Sequence, residues 1–76
     1  MKIKQYNFGS VDYGYSLQSK KWEFKPIGSN HVILLPAPGG AKTAHKMAKV
    51  INGDVKRQGF YGNLGRANVT KLIVNS

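Results

Sequence analysis

Cysteine is absent from this chain, and acidic residues are few. Without cysteine the protein forms no disulfide and binds no metal through thiolates, and such a composition is common in cytosolic proteins. Asp12, Glu23 and Asp54 supply all of its side-chain carboxylates. Three carboxylates provide few groups for acid–base catalysis and few ligands for a metal ion. The composition therefore favours a nonenzymatic protein that uses neither a cofactor nor a metal.

Long hydrophobic runs are also missing. The longest apolar run covers residues 32–35 and is interrupted by Pro36, whereas a helix needs about 20 apolar residues to span a bilayer. Residues 1–7 do not have the apolar stretch of a signal peptide. We therefore expect a cytoplasmic protein with no membrane partner.

Positive charge is the strongest feature that the sequence does have. Twelve Lys and Arg residues against three acidic residues give a formal net charge of +9 over 76 residues. A chain this short forms one domain, residues 1–76, and buries only about 60% of its unfolded surface. A small domain so basic is attracted to polyanions, which include nucleic acids, acidic proteins and anionic membranes.

Alternation of polar and apolar residues predicts strands in the first half of the chain. Residues 2–8 predict a half-buried strand, and residues 15–18 and 21–25 predict a hairpin with aromatic pairs across it. The apolar run 31–35 predicts a buried strand after a turn at 28–30. Another apolar run, within residues 70–75, predicts a final strand.

A helix is predicted over residues 41–52, after a turn made of prolines and glycines. Apolar residues at positions 44, 47, 48 and 51 form a core-facing stripe, and Asn52 and Gly53 predict the end of the helix. Residues 54–66 predict a flexible, basic, glycine-rich loop. The fold class expected is α+β, a small antiparallel sheet of four to five strands with one helix packed on one face. The predicted core comprises Ile3, Phe8, Leu17, Trp22, Phe24, Val32, Leu34, Met47, Ile51, Leu72 and Val74.

Basic residues gather on the polar side of this helix and, with two aromatic rings, in the predicted loop. Lysines neutralise phosphates and exposed rings stack on unpaired bases, so the pattern predicts a module that binds RNA or DNA. The alternative is that the lysines are only solvated and the rings fold back onto the core. The candidate residues, together with His45 on the same helix side, are Lys42, Lys46, Lys49, Lys56, Arg57, Phe60, Tyr61 and Arg66.

Residues 22–36 read Trp-Glu-Phe-Lys-Pro-Ile-Gly-Ser-Asn-His-Val-Ile-Leu-Leu-Pro, which resembles the centre of the HicA toxin (mRNA interferase) family. That family carries a strand, a Gly-Ser-His turn and a second strand ending near a proline. The resemblance implies a small basic ribonuclease with a fold like the double-stranded RNA-binding domain and a helix before Trp22. It also implies that His31 would be the catalytic residue in RNA cleavage.

A third class of function fits the same composition. Small basic proteins, for example in bacteriophages, act as inhibitors or host-takeover factors that dock on an acidic or nucleic-acid-binding surface of a larger complex. Edge strands of the predicted sheet favour such docking by strand addition, and they equally favour self-association. Nuclease treatment separates the classes, since a nucleic-acid binder then loses its partners and a protein binder keeps them.

Overall fold

The computed structural model describes residues 5–75, which form four strands followed by two helices. The four strands make one antiparallel sheet in the order in which they follow along the chain, so the predicted α+β class is confirmed. The strands are β1 (Gln5–Phe8), β2 (Val11–Ser16), β3 (Lys21–Pro26) and β4 (Ile33–Leu35). The helices are α1 (Ala41–Gln58) and α2 (Asn63–Val74).

The β2–β3 hairpin is the aromatic centre of the sheet. Tyr15 pairs with Trp22 and Tyr13 pairs with Phe24, and the Tyr13 and Phe24 rings stack with centroids 5.6 Å apart. The predicted hairpin with aromatic pairs across it is therefore found, with Tyr13 in the place that was expected for Leu17. Leu17 is not part of the hairpin strands, because β2 ends at Ser16 and the chain turns there.

Helix α1 covers one face of the sheet and encloses the core with it. The predicted apolar stripe of α1 is confirmed, since all four of its members are buried. The buried hydrophobic residues are Val11, Tyr13, Trp22, Phe24, Ala44, Met47, Ala48, Ile51 and Val69. Strand alternation places Leu34 on the opposite face of the sheet, which no helix of the described chain covers.

The predicted core is confirmed only in part. Ile3 and residues 2–4 of the predicted first strand lie outside the described residues, and Leu72 is only partly buried. The remaining members are exposed for local reasons: Leu34 is on the uncovered face of the sheet, Leu17 and Val32 lie outside the strands, Phe8 ends the edge strand β1, and Val74 is the last residue of α2. These exposed residues are Phe8, Leu17, Val32, Leu34 and Val74.

The predicted end of the first helix at Asn52 and Gly53 is wrong. Helix α1 continues to Gln58 and ends at Gly59, which adopts the left-handed conformation at φ 82°. Asn52 is buried, and its Oδ1 accepts a hydrogen bond of 2.9 Å from the Ser10 backbone N–H in the β1–β2 turn. Because that tertiary partner occupies the Asn52 side chain, the residue stays helical instead of ending the helix.

The predicted loop over 54–66 and the predicted strand over 70–75 are also wrong. Residues 54–58 belong to α1, only residues 59–62 connect the helices, and α2 runs to Val74. The second helix is stabilised by burial of Val69 and partial burial of Leu72 and Ile73. An apolar run of three residues suits either a strand or a helix, and here packing against α1 decides for the helix.

Candidate nucleic-acid interface

Five cationic side chains lie on the solvent-facing side of α1. At 3.6 residues per turn they fall within an arc of about 100°, and they extend along about 22 Å of the helix axis. We call this surface the cationic stripe; it consists of Lys42, Lys46, Lys49, Lys56 and Arg57, all of them exposed. The continuation of α1 past Asn52 is what places the last two residues on the same surface as the first three.

None of the chain's three side-chain carboxylates lies on the cationic stripe. Asp54 is 3% exposed, and its carboxylate accepts hydrogen bonds from the Gln58 side chain at 2.7 Å and from the Gly62 backbone N–H. Asp12 and Glu23 are exposed residues of β2 and β3 whose neighbours along each strand are buried against α1. By strand alternation they lie on the opposite face of the sheet. The charge of the stripe is therefore not offset locally.

A cavity of about 980 Å³ lies between residues 26–33 and the end of α1 with the start of α2. It brings together four of the candidate residues that are far apart in the sequence. These are His31, Phe60, Tyr61 and Arg66, and no carboxylate lines the cavity. Val55 and Gly59 bring the end of α1 to the cavity wall. At 3.6 residues per turn, Val55 lies 100° or more around the helix from every member of the cationic stripe, so a strand that reaches both surfaces passes around the C-terminal end of α1.

The two rings of the α1–α2 connection differ in burial. Phe60 is 61% exposed, whereas Tyr61 is half-buried. Burial raises the pKa of Tyr61 above its ordinary value of 10.0, with Arg66 acting to lower it and Asp54 to raise it. The Tyr61 hydroxyl therefore stays protonated and able to donate at neutral pH, while the Phe60 ring is free to contact a ligand.

His31 is exposed at the rim of the cavity. Its backbone N–H donates to the Ser29 Oγ at 3.1 Å, which holds the turn before β4. Among the described residues no group of three His, Asp or Glu side chains is arranged to hold a metal ion. The chain before Trp22 forms strands where the HicA resemblance implies a helix. The role of His31 in RNA cleavage stays a prediction.

His45 belongs to the junction between α1 and the sheet, and not to the cationic stripe. Its Nδ1 shares a hydrogen bond of 2.6 Å with the Tyr13 hydroxyl, and its ring meets the Tyr6 ring edge-to-face at 4.9 Å. Burial, with a smaller contribution from Tyr6, raises the pKa of Tyr13. Sequence spacing did not predict this contact, because it depends on how the sheet lies under the helix.

Comparison with protein-family models, with curated proteins and with solved structures finds no match for this chain. Neither helix formed by residues 5–75 is long and apolar enough to cross a membrane. The cationic stripe and the cavity are therefore the features of this chain that bear on its function.

Proposed function

We propose that this protein is a nucleic-acid-binding module that contacts RNA or DNA through phosphates and without strong sequence preference. The observation that carries the proposal is the cationic stripe, five cations on one exposed helix face with no carboxylate among them. Lys and Arg side chains that neutralise phosphates release condensed counterions, which supplies most of the affinity in nonspecific binding. Arg66 and the rings of Phe60 and Tyr61 extend the interface to the α1–α2 connection.

The length of the cationic stripe suits a polyanion better than a single small anion. Along one strand of a duplex, phosphates follow one another at about 3.4 Å of helix axis, so about 22 Å of stripe runs beside roughly six of them. A protein surface with scattered carboxylates would need complementary spacing to match five cations, whereas any nucleic acid offers phosphates throughout its length.

Charge reversal on the cationic stripe tests the proposal. We expect the double variant Lys46→Glu/Lys49→Glu to bind single-stranded RNA and duplex DNA roughly tenfold or more weakly, because it removes two phosphate contacts and adds two repulsive charges. Fluorescence anisotropy of labelled strands, at several salt concentrations, measures the loss. The loss is expected to be similar for all sequences, since phosphate contacts carry no base information.

A matched control is available on the opposite face of the sheet. Lys21 and Lys25 are exposed residues of β3, and Lys21→Glu/Lys25→Glu makes the same change in net charge away from α1. This control should bind nearly as well as the wild type at moderate salt. Equal losses for both double variants would show that net charge, and not the cationic stripe, drives binding, and the proposal would then be wrong.

Docking on a protein partner is the second candidate, and the edge strand β4 is the observation that favours it. Strand β4 has a sheet neighbour on one side only, and Leu34 is 45% exposed on the face that α1 does not cover. An open edge with apolar side chains accepts a strand from another protein, including a second copy of this chain. Partners that stay bound after nuclease treatment of a bacterial lysate would favour this candidate.

For both candidate functions, a cytoplasmic location stays a prediction.

A further inference from the structure

The cavity at the C-terminal end of α1 exposes large apolar side chains to solvent. Ile27 is 62% exposed and Phe60 is 61% exposed, and both line the cavity, one from the β3–β4 segment and one from the α1–α2 connection. Val32 adds a third exposed apolar side chain to the same lining. Clustered exposed apolar residues of this kind mark a surface that a ligand covers.

The polar groups of the cavity restrict the charge of that ligand. Arg66 and His31 line it, and Asp12, Glu23 and Asp54 do not. A cationic ligand would find no counter-charge here, whereas an anion meets the Arg66 guanidinium. A volume of about 980 Å³ lies in the range of small-molecule sites, about 300–1,000 Å³, so a group as large as a nucleotide fits.

We propose that the cavity takes one unpaired nucleotide of the strand held by the cationic stripe. The base stacks on the Phe60 ring between the apolar walls, and its phosphate lies against Arg66. The inference rests on the proposed function and names its substrate class as single-stranded nucleic acid. Bases of an intact duplex are stacked and paired inside the helix, so they cannot enter without the cost of unpairing.

The test compares two labelled strands of equal length and charge, an oligothymidine and an abasic oligodeoxynucleotide. Anisotropy should show that the wild type binds the oligothymidine more tightly, because only this strand offers bases. Phe60→Ala should weaken oligothymidine binding by about 5- to 150-fold, the effect of losing one base–aromatic stack. It should leave the affinity for the abasic strand unchanged, since the phosphate contacts remain.

Phe8→Ala is the matched control. Phe8 is also a partly exposed phenylalanine, but it lies on β1 and does not line the cavity. The Phe8→Ala variant should bind both strands as the wild type does. Thermal unfolding of each variant checks that the fold is retained. A similar loss of oligothymidine binding in Phe8→Ala would overturn the assignment of the base to Phe60.

The inference and the proposed function fail separately. If Phe60→Ala binds oligothymidine as the wild type does while Lys46→Glu/Lys49→Glu binds it weakly, the proposed function stands and the cavity proposal is wrong. That result would also leave the cavity open to an apolar peptide. If the wild type binds neither strand at low salt, the proposed function is wrong and the inference falls with it.

Discussion

Two glycines inside the helices have opposite surroundings. A Cβ added to Gly53 of α1 meets nothing within 4 Å, because the residue faces solvent between members of the cationic stripe. A Cβ added to Gly65 of α2 would lie 2.6 Å from the Oδ2 atom of Asp54. That oxygen cannot withdraw easily, since the carboxylate is buried and accepts the Gly62 N–H.

The same substitution should therefore change stability in opposite directions at these two positions. We expect Gly53→Ala to raise the free energy of unfolding by about 0.5–1 kcal/mol, because alanine loses less backbone entropy in a helix. Gly65→Ala should lower it by about 1–3 kcal/mol through overpacking. Urea denaturation of both variants measures the difference. Stabilisation at both positions would contradict the close packing of Asp54 against α2.

On the scale of single residues, side chains that are neighbours in the sequence differ in solvent exposure, and composition does not predict this difference. Phe60 and Tyr61 are adjacent aromatic residues between glycines, yet one ring is exposed and the other half-buried. The sequence left open whether both rings fold back onto the core. The path of the four-residue connection decides this, because both rings line the cavity but only Tyr61 also packs against the core.

At the level of elements, Asp54 joins the two helices. Helix α2 begins at Gly62 as its N-cap, which has no side chain to accept a backbone N–H. The carboxylate of Asp54, from the preceding helix, accepts the Gly62 N–H instead. An anionic acceptor at a helix start also interacts favourably with the helix dipole. A buried carboxylate thus supplies the cap that the sequence around α2 lacks.

Removal of this acceptor should loosen α2 more than the sheet. We expect Asp54→Ala to lower the free energy of unfolding by about 2–3 kcal/mol, since the Gly62 N–H and the Gln58 amide both lose their partner. Hydrogen exchange should become fastest at the first turns of α2. Asp54→Asn is the control, because it keeps a carbonyl acceptor, and it should cost less. An unchanged unfolding midpoint in Asp54→Ala would contradict the capping role.

Over the whole molecule, charge is distributed unevenly between the two faces. The cationic stripe occupies the outer side of α1, and the two exposed carboxylates, Asp12 and Glu23, lie across the sheet from it. Such an arrangement orients the molecule as it approaches a polyanion, and it does so most strongly at low salt.

Salt dependence of duplex DNA binding should report how many stripe residues contact phosphate. Five contacts correspond to a slope of log affinity against log salt of about −4 to −5, and Lys46→Gln/Lys49→Gln should make the slope less steep by about 2. Anisotropy titrations over a range of salt concentrations give both slopes. Lys21→Gln/Lys25→Gln should leave the slope unchanged. A wild-type slope near −1 would show that the stripe does not follow the phosphates.

Local periodicity in the amino-acid sequence was enough to predict part of the fold. Alternation around Trp22 and Phe24 predicted β3 and the face that it buries, since side chains on a strand alternate. Spacing of Met47 and Ile51 predicted the buried side of α1, and with it the exposed side that carries Lys46. The excess of basic residues favours a polyanionic partner, because charge acts at long range and needs no fold to be recognised, and this partner stays a prediction.

Three other features depend on tertiary contacts: the end of α1, the conformation of the last apolar run, and the candidate residues that come together. Asn52 either ends a helix or continues it, and its hydrogen bond to Ser10, distant in sequence, selects continuation. Residues 72–74 suit a strand as well as a helix, and burial of Val69 beside α1 selects the helix. His31 and Arg66 line one cavity because the sheet and α2 approach the end of α1 from different sides. Contacts between distant residues set all three outcomes, and no local pattern encodes them.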